Sequence, residues 1–177
     1  SPYTPHIGEA RLLYTTLDNT DATTRNFILN SMRQTAVQDA GNVFGFDDTD
    51  LYRADMPDWG YHTGSNLPKA GFGILNILAE KSNVAPNENA DFRLRANEIL
   101  HYFHGVNPQG ITYLTNMYNY GGDQCADELF HSWFQDDTQW DNVFTSECGP
   151  APGYLSSGPN QYYEDYQGGQ SPTPPGN

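Results

Sequence analysis

The chain has 177 residues, 22 acidic against 8 basic, for a formal charge of -14 and a pI of about 4.3. That charge excludes the phosphate backbone of a nucleic acid and an anionic membrane surface as partners. No apolar run approaches the roughly 18 residues needed to span a bilayer. Charged residues make up only 17% of the chain, so the surface is largely uncharged and polar, a composition that suits a secreted protein handling neutral sugars. The length suits one domain or a piece of a larger one. The chain starts without a Met, a basic segment or an apolar segment, so a signal peptide is either removed or was never part of this piece.

In chain order, residues Thr4 to Leu17 predict an amphipathic helix, with Ile7, Ala10, Tyr14 and Leu17 on one face and Thr4 and Pro5 at its start. A second helix is expected from about Asp21 to Asp39, with the stripe Ile28, Met32 and Ala36 ending before Gly41. Residues Gly41 to Asn66 have no helical period and read as a loop facing solvent or a cleft. A third helix is expected from about Leu67 to Lys81. Its nearly continuous Phe72, Ile74, Leu75, Ile77 and Leu78 predict cover on both sides, and Gly71 and Gly73 admit a close neighbour. After the polar turn SNVAPNEN, Phe92, Ala96, Ile99 and Phe103 mark the buried face of a fourth helix, about Ala90 to Phe103. Asp127 to Phe134 is a candidate for one short further helix. Two pairs of helices separated by long loops suggest stacked helical hairpins, an all-α fold with long loops at one end.

From His104 to Tyr163 the chain is broken repeatedly by Gly, Pro and Asn, is rich in aromatics and contains no Lys or Arg. Long irregular stretches of this kind commonly build a binding surface on a scaffold. Asn107 and Pro108 read as the structural turn that stops the fourth helix. Cys125 and Cys148 are expected to form a disulfide; two free thiols or a metal pair are the alternatives, the last disfavoured because close C-x-x-C spacing is missing. The acidic groups Asp47, Asp48, Asp50 and Asp136, Asp137, Asp141 read as solvated turns. The first group also offers carboxylates to a structural calcium ion, although it lacks the Gly and Glu of an EF-hand loop. No other cofactor is expected.

Three motifs then stand in order: PDWGYHTGSN, GVNPQGITYLTNM and GPAPGYLSSGPN. Together they resemble the glycoside hydrolase family 9 cellulases over nearly the whole chain. The resemblance implies an (α/α)6 toroid, of which about half is present, and a cleft for a β-1,4-glucan. It also implies an inverting reaction in which one carboxylic acid protonates the leaving oxygen while a distant carboxylate activates water. The family's base lies in a D-A-G-D type motif and its acid in a final helix; the chain has no D-A-G-D, and Glu164 lacks the acid's context. Residues 1–163 are therefore expected to be the C-terminal part of the catalytic domain, with 164–177 a Gly/Pro-rich tail or linker and no catalytic residue present. The remainder of that domain is the expected partner, and the extracellular space the expected location.

The resemblance places Trp59, Tyr61 and His62 along the cleft floor, where a ring can cover the apolar face of a sugar while polar groups take its hydroxyls. Many family members carry a His and an Arg after the G-x-N-P turn. Here no Arg follows Arg95, so His131 is the candidate imidazole contact and Trp133 a candidate ring contact. For each of these five residues the competing reading is an aromatic or imidazole that pins a loop to the core. Tyr154, Tyr162 and Tyr163 are weaker candidates for the far end of the cleft. A noncatalytic glucan-binding or assembly protein on the same helices is the rival function.

Overall fold

The structure, a computed structural model, describes residues 5–38, 43–44, 50–57, 60–62, 64–129 and 134–159. They fold into four α-helices, α1 (Pro5–Thr16), α2 (Ala22–Gln38), α3 (Asn66–Lys81) and α4 (Asn89–Phe103), followed by two short strands, β1 (Thr112–Thr115) and β2 (Cys125–Ala126). The predominance of helix agrees with an all-α expectation; the strands were not foreseen. The chain divides into two compact units, one of residues 1–57 and 68–100 and the other of residues 58–67 and 101–177.

In the first unit the core is Leu12, Met32, Phe44, Leu75, Ala79, Val84, Ala85 and Phe92, with Ile28, Leu29 and Ala36 packed against it. The expected stripe of α2 thus faces inward. Asp21 caps that helix by accepting the Thr24 N–H at 2.7 Å, and this bond holds its carboxyl below the usual value. The buried face expected for α4 is also found: Phe92, Ala96, Ile99 and Phe103 are all buried. Phe92 meets Phe44 edge to face, with ring centroids 5.9 Å apart. Phe44, Ala54 and Met56 are buried as well, so the segment expected as a loop facing solvent or a cleft sends three apolar side chains inward.

Two expectations need correction. On α1 the residues Ile7, Ala10 and Leu17 are exposed, and Leu12 and Thr15 form the buried face. The reason lies at Gly8, where a Cβ would stand only 2.9 Å from Leu75 Cδ2, so the glycine side of α1 is the side that packs on α3. On α3, cover is one-sided: Phe72, Leu75 and Ala79 are buried while Ile74 and Ile77 stay about half exposed. Gly73 does admit the close neighbour foreseen for it, since a Cβ there would lie 3.4 Å from Ile99 of α4. Gly41 and the pair Asp47 and Asp48 lie outside the described residues.

Arg95 of α4 has no solvent exposure. Its guanidinium donates to the Arg53 carbonyl at 3.0 Å, to Asp55 Oδ1 at 2.9 Å and to the Asp55 carbonyl at 2.6 Å. These bonds replace the water lost on burial and fasten residues 53–55 to the helix. Removing the carboxylate leaves a buried cation with less compensation, so Asp55→Ala should lower unfolding free energy by about 3–5 kcal/mol. Urea denaturation followed by circular dichroism checks this; a loss below about 1 kcal/mol, the level of a surface pair, contradicts it.

Candidate functional site

The second unit brings together the three motifs singled out in the sequence. The first link is the end of α4. Gly105 adopts a left-handed backbone with φ 105°, the Val106 N–H reaches the His101 carbonyl at 3.0 Å and the Gly105 N–H the Tyr102 carbonyl at 3.4 Å. This pairing closes the helix and uses carbonyls that would otherwise be orphaned.

The buried Asn107 then takes over the work of a backbone ladder. Its Nδ2 donates to the carbonyls of Tyr102 at 2.8 Å and Ile111 at 2.7 Å, while its Oδ1 accepts the amides of Gln109 at 3.1 Å and Ile111 at 3.3 Å. One side chain therefore satisfies the polar groups of the whole turn and ties it to α4. The structural reading of Asn107 follows from these bonds. Beyond the turn, Tyr113 of β1 stacks on Tyr102 with centroids 5.6 Å apart, and its hydroxyl donates to Gln109 Oε1.

Strand β1 is the second link. It pairs in parallel with β2, and it also accepts the last motif: Tyr113 O receives the Ser156 N–H at 2.8 Å, and the Thr115 N–H reaches Tyr154 O at 2.9 Å. The same segment next meets the start of α3. Ser157 O accepts the Asn66 N–H at 3.0 Å, Ser156 O accepts Asn66 Nδ2 at 3.1 Å, and Pro159 O accepts the Ser65 hydroxyl at 2.7 Å. The carbonyls of Ser156, Ser157 and Pro159 thus secure the start of α3, that of Ser157 by accepting a helix N–H. Gly158 makes the approach possible: its φ is 90°, and a Cβ there would stand 2.5 Å from Asn66 Cγ and 2.6 Å from Ser65 Oγ.

Tyr61 and His62 sit immediately before this junction, Tyr61 half-buried and His62 exposed, with His62 O accepting the Ser65 N–H at 2.8 Å. The residues that carry a ring and an imidazole are therefore tied to the junction through the His62 carbonyl. Trp59, His131 and Trp133 lie outside the described residues, as do Tyr162 and Tyr163. Asp127–Leu129 are not helical, so a helix starting at Asp127 does not form; residues 130–133 are outside the described set. Tyr154 is exposed. The acidic run 136–141 closes its own turn, with the Asp137 N–H on Asp141 Oδ2 at 3.1 Å. Asp50 likewise accepts the amides of Tyr52 at 3.0 Å and Ala54 at 2.9 Å. Among the described residues no group of three or more His, Cys, Asp or Glu could hold a metal ion.

The disulfide expected between Cys125 and Cys148 is not formed; both cysteines are free. Cys125 is buried in β2 and its Sγ accepts the Met117 N–H at 3.1 Å, whereas Cys148 is exposed and its own N–H reaches Gln139 O at 2.8 Å. Each is committed to a different local structure. Burial raises the Cys125 thiol above its ordinary value. Next to it, the Tyr118 hydroxyl donates to Asp127 Oδ1 at 2.6 Å; burial first, and then this carboxylate, hold the phenol above its ordinary value. The sequence reading missed Ser65, Asn66 and Gly158 as a junction. The one available signal was the recurrence of small polar residues in both the G-S-N and S-S-G-P motifs.

Two outcomes follow from this geometry. Gly158→Ala forces a methyl group into Asn66 at a positive φ and should cost about 1–3 kcal/mol, read as a lowered urea midpoint; an unchanged midpoint contradicts the close approach. In native protein a thiol reagent should modify Cys148 rapidly and Cys125 only after denaturant is added. Equal rates, or no free thiol at all, would overturn the assignment.

No curated protein and no solved structure matches the chain. The model of glycosyl hydrolase family 9 matches residues 7–172, nearly the whole chain and all three motifs. With its junction of turns, its helical scaffold and that match, the chain belongs to glycosyl hydrolase family 9, the glycoside hydrolases whose fold is an (α/α)6 toroid.

Proposed function

We propose that the chain is part of a secreted endo-β-1,4-glucanase that hydrolyses β-1,4-glucan with inversion, and that it contributes substrate-cleft residues rather than the reacting carboxylates. The observation that carries the substrate class is the distribution of charge. All eight Lys and Arg residues fall in the first unit, and the unit that holds Tyr61, His62 and the three motif turns has none. A surface with carboxylates and no cation repels anionic polysaccharides, whereas a neutral glucan needs only ring faces and hydrogen-bonding groups. Tyr61 and His62 supply these at the junction; Trp59, His131 and Trp133 are proposed to join them.

The reaction itself requires an acid to protonate the glycosidic oxygen and a base, well separated from it, to activate water on the other face of the sugar. Neither has a counterpart in the family's context here, since the chain lacks D-A-G-D and Glu164 stands only four residues after Asn160 of the G-P-N turn. The proposed role of these residues is to hold and orient the glucan while carboxylates from the remainder of the same domain do the chemistry. The exposed apolar side chains Ile7, Leu13 and Leu17 on α1 and Ile74 and Ile77 on α3 support an incomplete toroid, because such faces ordinarily pack on further helices. A structural calcium ion near Asp50 remains part of the proposal as an accessory and takes no part in the reaction.

The lack of both catalytic motifs also favours the rival, a glucan-binding protein without hydrolysis. Proton NMR of cello-oligosaccharide incubated with the parent protein separates the two. The enzyme reading predicts an early excess of the α-anomer at new reducing ends and no turnover by the 177-residue chain alone. Binding without cleavage by the parent would establish the rival.

A further inference from the structure

The first unit buries a second cation that the proposed function leaves unused. Lys69 of α3, like Arg95, has no solvent exposure, and its Nζ donates to the Ala54 carbonyl. The loop 50–57 is therefore gripped from two helices, by Lys69 at residue 54 and by Arg95 at residues 53 and 55. Within the loop, Asp50 binds the amides of Tyr52 and Ala54. The charges that bear on the Lys69 amine are Arg95 from α4 and Asp50 and Asp55 from the loop. Two basic side chains without solvent exposure thus share a cluster with two partly buried carboxylates. Arginine keeps its charge at every accessible pH, so any change of charge in the cluster at neutral pH falls to the lysine.

We propose that Lys69 is a proton-operated latch on the loop 50–57: as a neutral amine it holds the loop closed through the Ala54 carbonyl, and as an ammonium it loosens it. Both forms can donate that hydrogen bond, so the difference lies in the cost of a second buried cation beside Arg95. Burial first, and then Arg95, lower the Lys69 pKa from 10.5 to about 7, with Asp50 and Asp55 opposing. Because the closed form has the lower pKa, it binds fewer protons than an opened form between about 7 and 10.5. Closure is therefore favoured as pH rises through that window and is weakest, and flat with pH, below it. Acidification through pH 7 protonates the amine inside the closed loop and shifts the balance toward a loop that lets the ammonium reach water.

The test uses the whole 177-residue chain. The 13Cε shift of Lys69 is titrated, and hydrogen exchange at the Tyr52 and Ala54 amides is measured from pH 5 to 8 and corrected for intrinsic rates. The latch predicts a midpoint near 7 for Lys69, protection unchanged from pH 5 to 6, and protection rising roughly tenfold from pH 6 to 8. Core amides of α4 serve as the reference and should not follow that curve. Lys69→Met, which cannot be protonated, should flatten the response. A Lys69 midpoint near 10, or protection at Ala54 that does not change between pH 6 and 8, overturns the proposal using the unsubstituted chain alone. An equal pH response in a folded Lys69→Met overturns it as well.

Discussion

The first unit depends on one electrostatic constraint: two basic side chains without solvent exposure, Lys69 and the always-charged Arg95, find their hydrogen-bond partners on one loop. An isolated buried charge costs far more than any single hydrophobic contact returns, so the loop cannot leave without carrying at least one helix side chain into water. This fixes residues 50–57 more firmly than their turn-rich sequence suggests. One helical turn from the pair stand the buried Phe72 on α3 and Phe92 and Ile99 on α4.

The second unit solves a different problem with the same logic. Its described residues have little regular secondary structure, so their backbone groups need partners elsewhere. Two asparagines provide many of them. Asn107 serves four backbone groups of Tyr102, Gln109 and Ile111 around the end of α4, and Asn66 joins the start of α3 to the carbonyls of Ser156 and Ser157. Amide side chains suit this task because one group donates and accepts at fixed angles. These bonds tie down the turns that follow Tyr61 and His62, and the neutral ligand proposed for them, lacking a strong charge to pull it into register, depends on groups held in place.

Much of the scaffold was legible in the sequence. The limits of α2, α3 and α4 fall within a residue of those read from periodicity, and the faces of α2 and α4 agree because Met32 and Phe92 lead long apolar stripes. The face of α1 was misread for an instructive reason. Ile7, Ala10 and Leu17 keep helical spacing, but spacing alone does not say which of two faces meets a neighbour, and the small side chain of Gly8 decided it. Lys69 was invisible because a lysine within NLPKAGFG reads as an ordinary solvated charge; its partner is a carbonyl 15 residues upstream. In the site, the stop at Gly105 and the turn at Asn107 were readable from local chemistry. The meeting of Asn66 with Gly158 was not, because it joins positions about 90 residues apart through a contact only glycine permits. The cysteines show the same limit, since pairing depends on where each side chain points.

The charge partition links these parts to the family assignment. Every Lys and Arg of the chain falls in the first unit, and the proposal of an uncharged polymer as substrate rests on that partition. The most direct test of that claim is chemical-shift mapping on the 15N-labelled chain with a cello-oligosaccharide and, in parallel, an oligogalacturonate of equal length. The account predicts shifts at Tyr61, His62 and Gly64 with the neutral sugar and none there with the anionic one. Shifts confined to the first unit, or equal response to both sugars, would contradict it.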